Sequence, residues 1–156
     1  MTGLVVGSLT PWVEMICLKN GAAKLRQITA QKNVGKRRYY QSMDFVVSFS
    51  SIEHSGLGRY GDPLDPIGDL REMQKIQCLL KRGGLLFIGL PVGVDAVVFN
   101  AHRIYGRLRL AMMFEGFQLL NAFLGNSPDP WEPTAELLND MGVQYSRTPT
   151  FVLRRE

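Results

Sequence analysis

Two short runs of apolar residues, at positions 44–50 and 85–90, constrain the fold more than any other feature of the sequence. Both are nearly continuous and rich in residues that favour β-strands. Strands with this pattern are buried on both faces, as in the centre of a parallel sheet that helices cover. The two runs therefore predict an α/β fold built on a mostly parallel sheet.

Weaker patterns on either side continue the alternation of strands and helices. They predict strands at 4–6, 25–29, 117–123 and 150–154. They predict helices at 11–20, from 69 to the glycines at 83 and 84, at 107–114 and at 131–141. The last two strands are expected to form an antiparallel pair. Residues 33–43 are predicted to be an exposed connection, and residues 51–68 and 91–106 to be long loops.

Caps and inner faces are also predicted for the first two helices. Thr10 is the expected N-cap of the first helix, and Pro11 its first residue. Asp69 and Glu72 are spaced like a capping box at the start of the second helix. The inner face of the first helix is predicted to carry Trp12, Met15 and Ile16.

Length and composition are those of a single globular domain spanning residues 1–156. With 46% hydrophobic and 21% charged residues, the chain is not expected to be disordered or to form a coiled coil. Cys17 and Cys78 lie in apolar helical patterns, which favours reduced thiols and an intracellular, cytoplasmic location.

Membrane insertion, secretion and nucleic-acid binding are not expected. The longest apolar run is broken by Pro91 and Asp95, and the N-terminal apolar stretch by Pro11 and Glu14. The net charge is only +4, and a basic run in a connection is usually solvated rather than bound to phosphates. That run is Lys36, Arg37 and Arg38, followed by Tyr39 and Tyr40.

Polar side chains are concentrated in the two loops that follow the central strands. The carboxyl ends of parallel strands lie at one edge of a sheet, so both loops are expected to meet in a cleft beside Gly7 and Ser8. His54 is the predicted proton acceptor there, with Glu53 or Asp62 orienting it. The groups predicted to hold a substrate are Arg59, Tyr60, Asn100, His102 and Arg103. Alternatively, the same residues cap the loops and pair with one another. No Cys, His and carboxylate spacing matches a metal site, so no metal is predicted.

Several segments resemble known families. Residues 44–50 and the Leu-Leu-Lys-Arg-Gly-Gly turn before the run at 85–90 resemble the fourth and fifth strand regions of class I S-adenosylmethionine-dependent methyltransferases. Segments 7–14, 50–63 and 100–106 resemble an uncharacterised family of nematode domains related to those enzymes. The resemblance implies a Rossmann-like methyltransferase fold and methyl transfer to an acceptor that the sequence does not identify. It also implies an S-adenosylmethionine site at Gly7, Ser8, Thr10, Ser50 and Ser51.

The sequence departs from the methyltransferase pattern at three places. The turn after the first strand has one glycine, Gly7, where those enzymes have two. The second strand ends near Thr29 and Gln31 without the carboxylate that binds the ribose hydroxyls. Only 14 residues separate Thr29 from Asp44, so the region of the third strand is predicted to be reduced or missing. These departures predict weak cofactor binding, or a non-catalytic binding or interaction module on the same fold.

Overall fold

The computed structural model describes residues 1–8, 10–28, 39–136, 138 and 148–156. Its strands are β1 (Thr2–Val6), β2 (Lys24–Ile28), β3 (Met43–Phe49), β4 (Leu80–Gly89), β5 (Ala96–Val98), β6 (His102–Ile104), β7 (Phe117–Phe123) and β8 (Thr150–Arg155). Its helices are α1 (Trp12–Lys19), α2 (Gly68–Leu79) and α3 (Arg107–Met113), and a 3-10 turn lies at Ile52–His54.

Six of the strands form one sheet in the order β2-β1-β3-β4-β8-β7. The first four are parallel, and the last two pair antiparallel to their neighbours. The predicted α/β class, with its mostly parallel sheet and antiparallel C-terminal strands, is therefore confirmed. The chain leaves β1 towards one edge and β3 towards the other, so the strand order reverses between them. In such sheets ligands bind outside the carboxyl ends of the strands at this reversal.

Helix α2 anchors the core on one side of the sheet. Its Met73, Ile76 and Leu79 follow helical spacing and join one apolar cluster with Val46 of β3 and Leu86 of β4. All five side chains are at most 5% exposed. Burying a side chain of this size stabilises the fold by about 1.5–3 kcal/mol. No helix among the described residues is long and apolar enough to cross a membrane.

The predicted inner face of α1 is wrong. Trp12, Met15 and Ile16 are each at least half exposed, and Val13 is the residue of α1 that is buried. Pro11 occupies the N-cap position, and no side chain caps this helix. Apolar spacing identifies a face of a helix, but it does not say whether a second layer of structure covers that face.

The predicted capping box of α2 is also wrong. The helix begins at Gly68, and its N-cap residue, Ile67, forms no side-chain capping hydrogen bond. Asp69 is fully buried and binds the guanidinium of Arg109, while Glu72 pairs with Lys75. Two acidic residues three positions apart are typical of a capping box. The same spacing also occurs when each acid pairs with a basic residue, as Asp69 and Glu72 do here.

One predicted loop and one predicted helix differ from the structure. The segment 91–106, predicted as a loop, contains the antiparallel ribbon of β5 and β6. Residues 131–136 are not helical, and most of the rest of the helix predicted there lies outside the described residues. Between β2 and β3, residues 39–42 form no strand. Residues 29–38, which include Thr29, Gln31 and the basic run, lie outside the described part of the chain.

Candidate functional site

A cleft of about 430 Å³ lies at the carboxyl ends of β1 and β3. Its volume falls in the range of about 300–1,000 Å³ that is typical of small-molecule sites. Seven of the predicted site residues line it: Gly7, Ser8, Ser50, Ser51, His54, Tyr60 and Asp62. The other six, Thr10, Glu53, Arg59, Asn100, His102 and Arg103, are not among its lining residues.

The turn after β1 forms one wall of the cleft and is held by internal contacts. Gly7 has a φ of +76°, and a Cβ atom built on it would lie 1.7 Å from the Oγ of Ser51. The space that the missing side chain leaves is therefore filled by Ser51. The hydroxyl of Ser8 lies 2.5 Å from the carbonyl of Thr10, and the Gln27 amide donates to the carbonyl of Ser8. Most polar groups of this turn already have partners within the chain.

His54 forms part of the opposite wall, at the end of the 3-10 turn that follows β3. Its Nδ1 lies 2.5 Å from the carbonyl oxygen of Ala101. A carbonyl can only accept a hydrogen bond, so Nδ1 carries the proton and Nε2 of the neutral ring has a free lone pair. The ring packs edge-to-face against Tyr60 and His102, with centroids 5.5 and 6.3 Å away. This tautomer makes Nε2 a proton acceptor in a residue that lines the cleft.

Glu53 lies behind His54, away from solvent. Its side chain is 2% exposed, and its Oε1 accepts a hydrogen bond of 2.7 Å from the hydroxyl of Ser50. Its Oε2 is buried, and no described residue donates a hydrogen bond to it. Among the described basic side chains, that of His54 lies within ion-pair distance of the carboxylate, with its Nε2 3.7 Å from Oε1.

Asp62 orders the loop that forms the cleft. Its carboxylate accepts hydrogen bonds from the backbone N–H groups of Gly56, at 2.6 Å, and Tyr60, at 3.3 Å. Burial opposes ionisation of Asp62, but backbone N–H groups outweigh this effect and lower the pKa of the carboxyl below 3.8. Among the described residues, Asp62 forms no ion pair with His54. Of the two carboxylates predicted to orient His54, Glu53 is the one in reach.

The lowered pKa of Asp62 predicts a loss of stability in acid. A carboxyl whose pKa is depressed by folding stabilises the protein above its unfolded pKa, and this contribution disappears as the pH falls through the folded value. Urea unfolding should show Asp62→Asn clearly less stable than the wild type at pH 6, with a smaller difference at pH 3. An equal difference at both pH values would show that the ionised carboxylate does not stabilise the loop.

Arg103, predicted to hold a substrate, lies beneath the loop and does not line the cleft. It is 1% exposed, and its guanidinium donates to the backbone carbonyls of Ser55, at 2.5 Å, and Asp65, at 3.1 Å. Further carbonyl contacts and Asp69, at 3.7 Å, complete its surroundings. Because it lies beneath the loop and is enclosed by backbone oxygens, it fixes the shape of the loop instead.

Arg59, Asn100 and His102 lie beside the cleft rather than along it. Arg59 donates to the carbonyl of Asn100 at 3.4 Å, and its guanidinium lies 5.8 Å from the ring of Tyr60. These contacts connect the loop after β3 to the turn between β5 and β6. Roles for these three residues in binding a substrate stay predictions.

The floor of the cleft includes one face of α2 that the sequence patterns did not single out. Gly68, Arg71, Glu72 and Lys75 line it. Their spacing of three, four and seven residues places them on one helix face, which is the signal that could have found them. Burial raises the pKa of Glu72, and the ion pair with Lys75 at 2.6 Å partly offsets that rise.

The architecture is that of Rossmann-like methyltransferases. A 1,6-didemethyltoxoflavin-N1-methyltransferase from Burkholderia thailandensis, solved with 1,6-didemethyltoxoflavin and S-adenosylhomocysteine bound, superposes on 99% of this chain and 70% of its own, with a TM-score of 0.68 and 12% identity. A TehB-like SAM-dependent methyltransferase from Corynebacterium glutamicum covers 99% of this chain and 80% of its own, with a TM-score of 0.56 and 16% identity. At these identities the likeness shows the fold.

The chain belongs to the family described as "Caenorhabditis protein of unknown function, DUF268", whose model matches residues 32–156. This confirms the resemblance to a nematode domain family related to class I methyltransferases. No curated protein matches the sequence.

Proposed function

We propose that the protein is a methyltransferase with low affinity for S-adenosylmethionine, acting on a small acceptor that carries a proton on oxygen or nitrogen. The observation that carries this proposal is the position of His54, whose Nε2 is a free proton acceptor in a residue lining the cleft. When bound, the cofactor supplies a methyl group on a positively charged sulfur, which leaves with the bonding electrons. His54 takes the proton that the acceptor atom loses when it becomes methylated.

The described residues fit the cofactor only in part. Gly7, Ser8, Ser50 and Ser51 lie where the strand order reverses, and they are the residues that would hold it. However, Ser51 already fills the space beside Gly7, and β2 carries no carboxylate as far as Ile28. A hydrogen bond to a charged group contributes about 1.5–3 kcal/mol, so one lost carboxylate contact weakens binding by about 10- to 150-fold.

A second candidate function is a non-catalytic binding or interaction module. The contact between Ser51 and Gly7 favours it, because a turn closed by a side chain leaves less room for a cofactor to approach the backbone. His54 and the loop residues would then hold a small ligand in the cleft without chemistry.

Calorimetric titration with S-adenosylmethionine separates the two functions. We expect the wild-type protein to bind the cofactor with a dissociation constant in the millimolar range. Ser51→Gly should bind it more tightly, because this change reopens the space beside Gly7. Ser55→Gly is the matched control, since it removes another hydroxyl from the same cleft, and its affinity should stay at the wild-type value.

Each outcome of the titration has a clear meaning. A micromolar dissociation constant for the wild type would overturn the claim of low affinity. The absence of heat for both the wild type and Ser51→Gly at millimolar cofactor would overturn methyl transfer and leave the non-catalytic module.

A further inference from the structure

The buried carboxylate of Glu53 has too few partners for a charged group. Removing a carboxylate from water is expensive unless hydrogen bonds or a counter-ion compensate. Glu53 receives one hydrogen bond, from Ser50, and its second oxygen has no donor among the described residues. Arg103 lies close by, but it donates to the backbone carbonyl of Glu53 rather than to the carboxylate. The charged form of Glu53 therefore requires a compensating charge from another group.

His54 is the group in position to supply that charge. Its Nδ1 proton is committed to the carbonyl of Ala101, so a second proton can add only at Nε2. Nε2 also lies 3.7 Å from Oε1 of Glu53. Protonation of His54 therefore places a positive N–H next to the undercompensated carboxylate.

The other carboxylates near His54, those of Asp62 and Asp65, already have partners. Asp62 is bound by backbone N–H groups, and Asp65 forms a 2.9 Å ion pair with Arg71. Two further basic groups lie near the ring, one in direct contact with it and one behind Tyr60. They are His102, on β6, and Arg59, which packs against Tyr60. Arg59 carries a permanent positive charge and His102 carries one when protonated, so neither favours an imidazolium at His54.

We propose that Glu53 and His54 form one proton-binding pair, in which the Glu53 carboxylate is the counter-ion of the His54 imidazolium. Glu53 is a positioning residue in this pair, because it acts on the acceptor through His54. The inference deepens the proposed function and rests on it for the identity of the proton source, an O–H or N–H acceptor. The acceptor atom loses a proton to Nε2, and the pair then changes from a net charge of −1 to zero.

Proton NMR titration tests the pair directly, because the chain contains only two histidines. His54→Gln assigns the two ring signals, since it removes one of them. An opposite charge close to a titratable group favours its charged form, so Glu53→Gln should lower the titration midpoint of His54. Glu72→Gln, which neutralises another carboxyl group at the cleft, should move it much less.

The nitrogen spectrum of the wild-type protein provides a second measurement that needs no change at Glu53. At alkaline pH, ¹⁵N shifts should show His54 as the tautomer protonated at Nδ1. The opposite tautomer would overturn the proposal. So would an unchanged His54 midpoint in folded Glu53→Gln, or a larger shift in Asp62→Asn than in Glu53→Gln. The titration uses no cofactor, so its failure is distinguishable from a failure to bind S-adenosylmethionine.

Discussion

Replacing Asp69 by alanine should lower the free energy of unfolding by about 3–5 kcal/mol, the range found when one partner of a buried ion pair is removed. The Asp69 side chain is fully buried and receives two hydrogen bonds from Arg109, at 2.8 and 2.6 Å. It also accepts one from the hydroxyl of Tyr105, and its Oδ2 lies 3.7 Å from the Nε of Arg103. Without Asp69, the buried guanidinium of Arg103 has no described carboxylate within an ion-pair distance.

Urea unfolding of Asp69→Ala and of a matched exposed pair would check this result. Lys81 and Asp44 form an ion pair of 2.6 Å, but their side chains are 51% and 27% exposed. Pairs of this kind contribute about 0–1 kcal/mol. Lys81→Met should therefore cost far less than Asp69→Ala. Equal losses of unfolding free energy in the two variants would show that burial does not strengthen the ion pairs of Asp69.

The Asp69 cluster, which consists of Asp69, Arg103, Tyr105 and Arg109, also keeps the cleft in shape. Asp69 is on α2, Arg109 is on α3 and Arg103 is on β6, so one carboxylate connects three elements. Burial, followed by the negative charges of Asp69 and Glu53, raises the pKa of Tyr105 well above 10, so its hydroxyl remains a donor. Arg103 in turn binds carbonyls on both sides of the loop that carries Asp62. Stability and site geometry are therefore set by the same contacts.

The central strands could be predicted from sequence because their signal is local. Residues 45–47 and 85–88 are apolar at every position, and that pattern is typical of strands buried on both faces. The structure places β3 and β4 side by side and parallel, with Val46 opposite Leu86. The convergence of the loop after β3 with the turn after β1 also follows from strand direction alone.

The roles of individual charged residues could not be predicted, because their partners are distant in the sequence. Asp69 is separated by 40 residues from Arg109, to which it is bound. Arg103 is separated by 48 residues from Ser55, whose carbonyl it binds. The neighbouring residues in the sequence do not show whether a charged side chain lies beneath a loop or faces a ligand. The order of the strands therefore predicted a cleft beside Gly7 and Ser8, but not that Arg103 lies beneath the loop, nor that no residue of 91–106 lines the cleft.

Changing Gly56 to alanine should destabilise the protein more than the same change at Gly61, by about 1–3 kcal/mol, the usual cost of overpacking. Both glycines have a φ of +78°, so alanine meets the same backbone strain at either position. At Gly61 a Cβ atom would have no neighbour within 4 Å. At Gly56 it would lie 2.2 Å from the backbone carbonyl oxygen of Asp65, which cannot rotate away.

Comparing Gly56→Ala with Gly61→Ala isolates the effect of the close contact between Gly56 and the backbone of Asp65. Gly56 accepts a hydrogen bond from the N–H of Asp65 and donates one to the carboxylate of Asp62, so its displacement moves two residues that line the cleft. Gly61→Ala should cost about 1–2 kcal/mol, the strain of a left-handed alanine, and should leave the His54 titration unchanged. Gly56→Ala should alter that titration as well as the urea midpoint. If both variants lost the same stability, the loop would have room to open at Gly56, and the cleft would not depend on this contact.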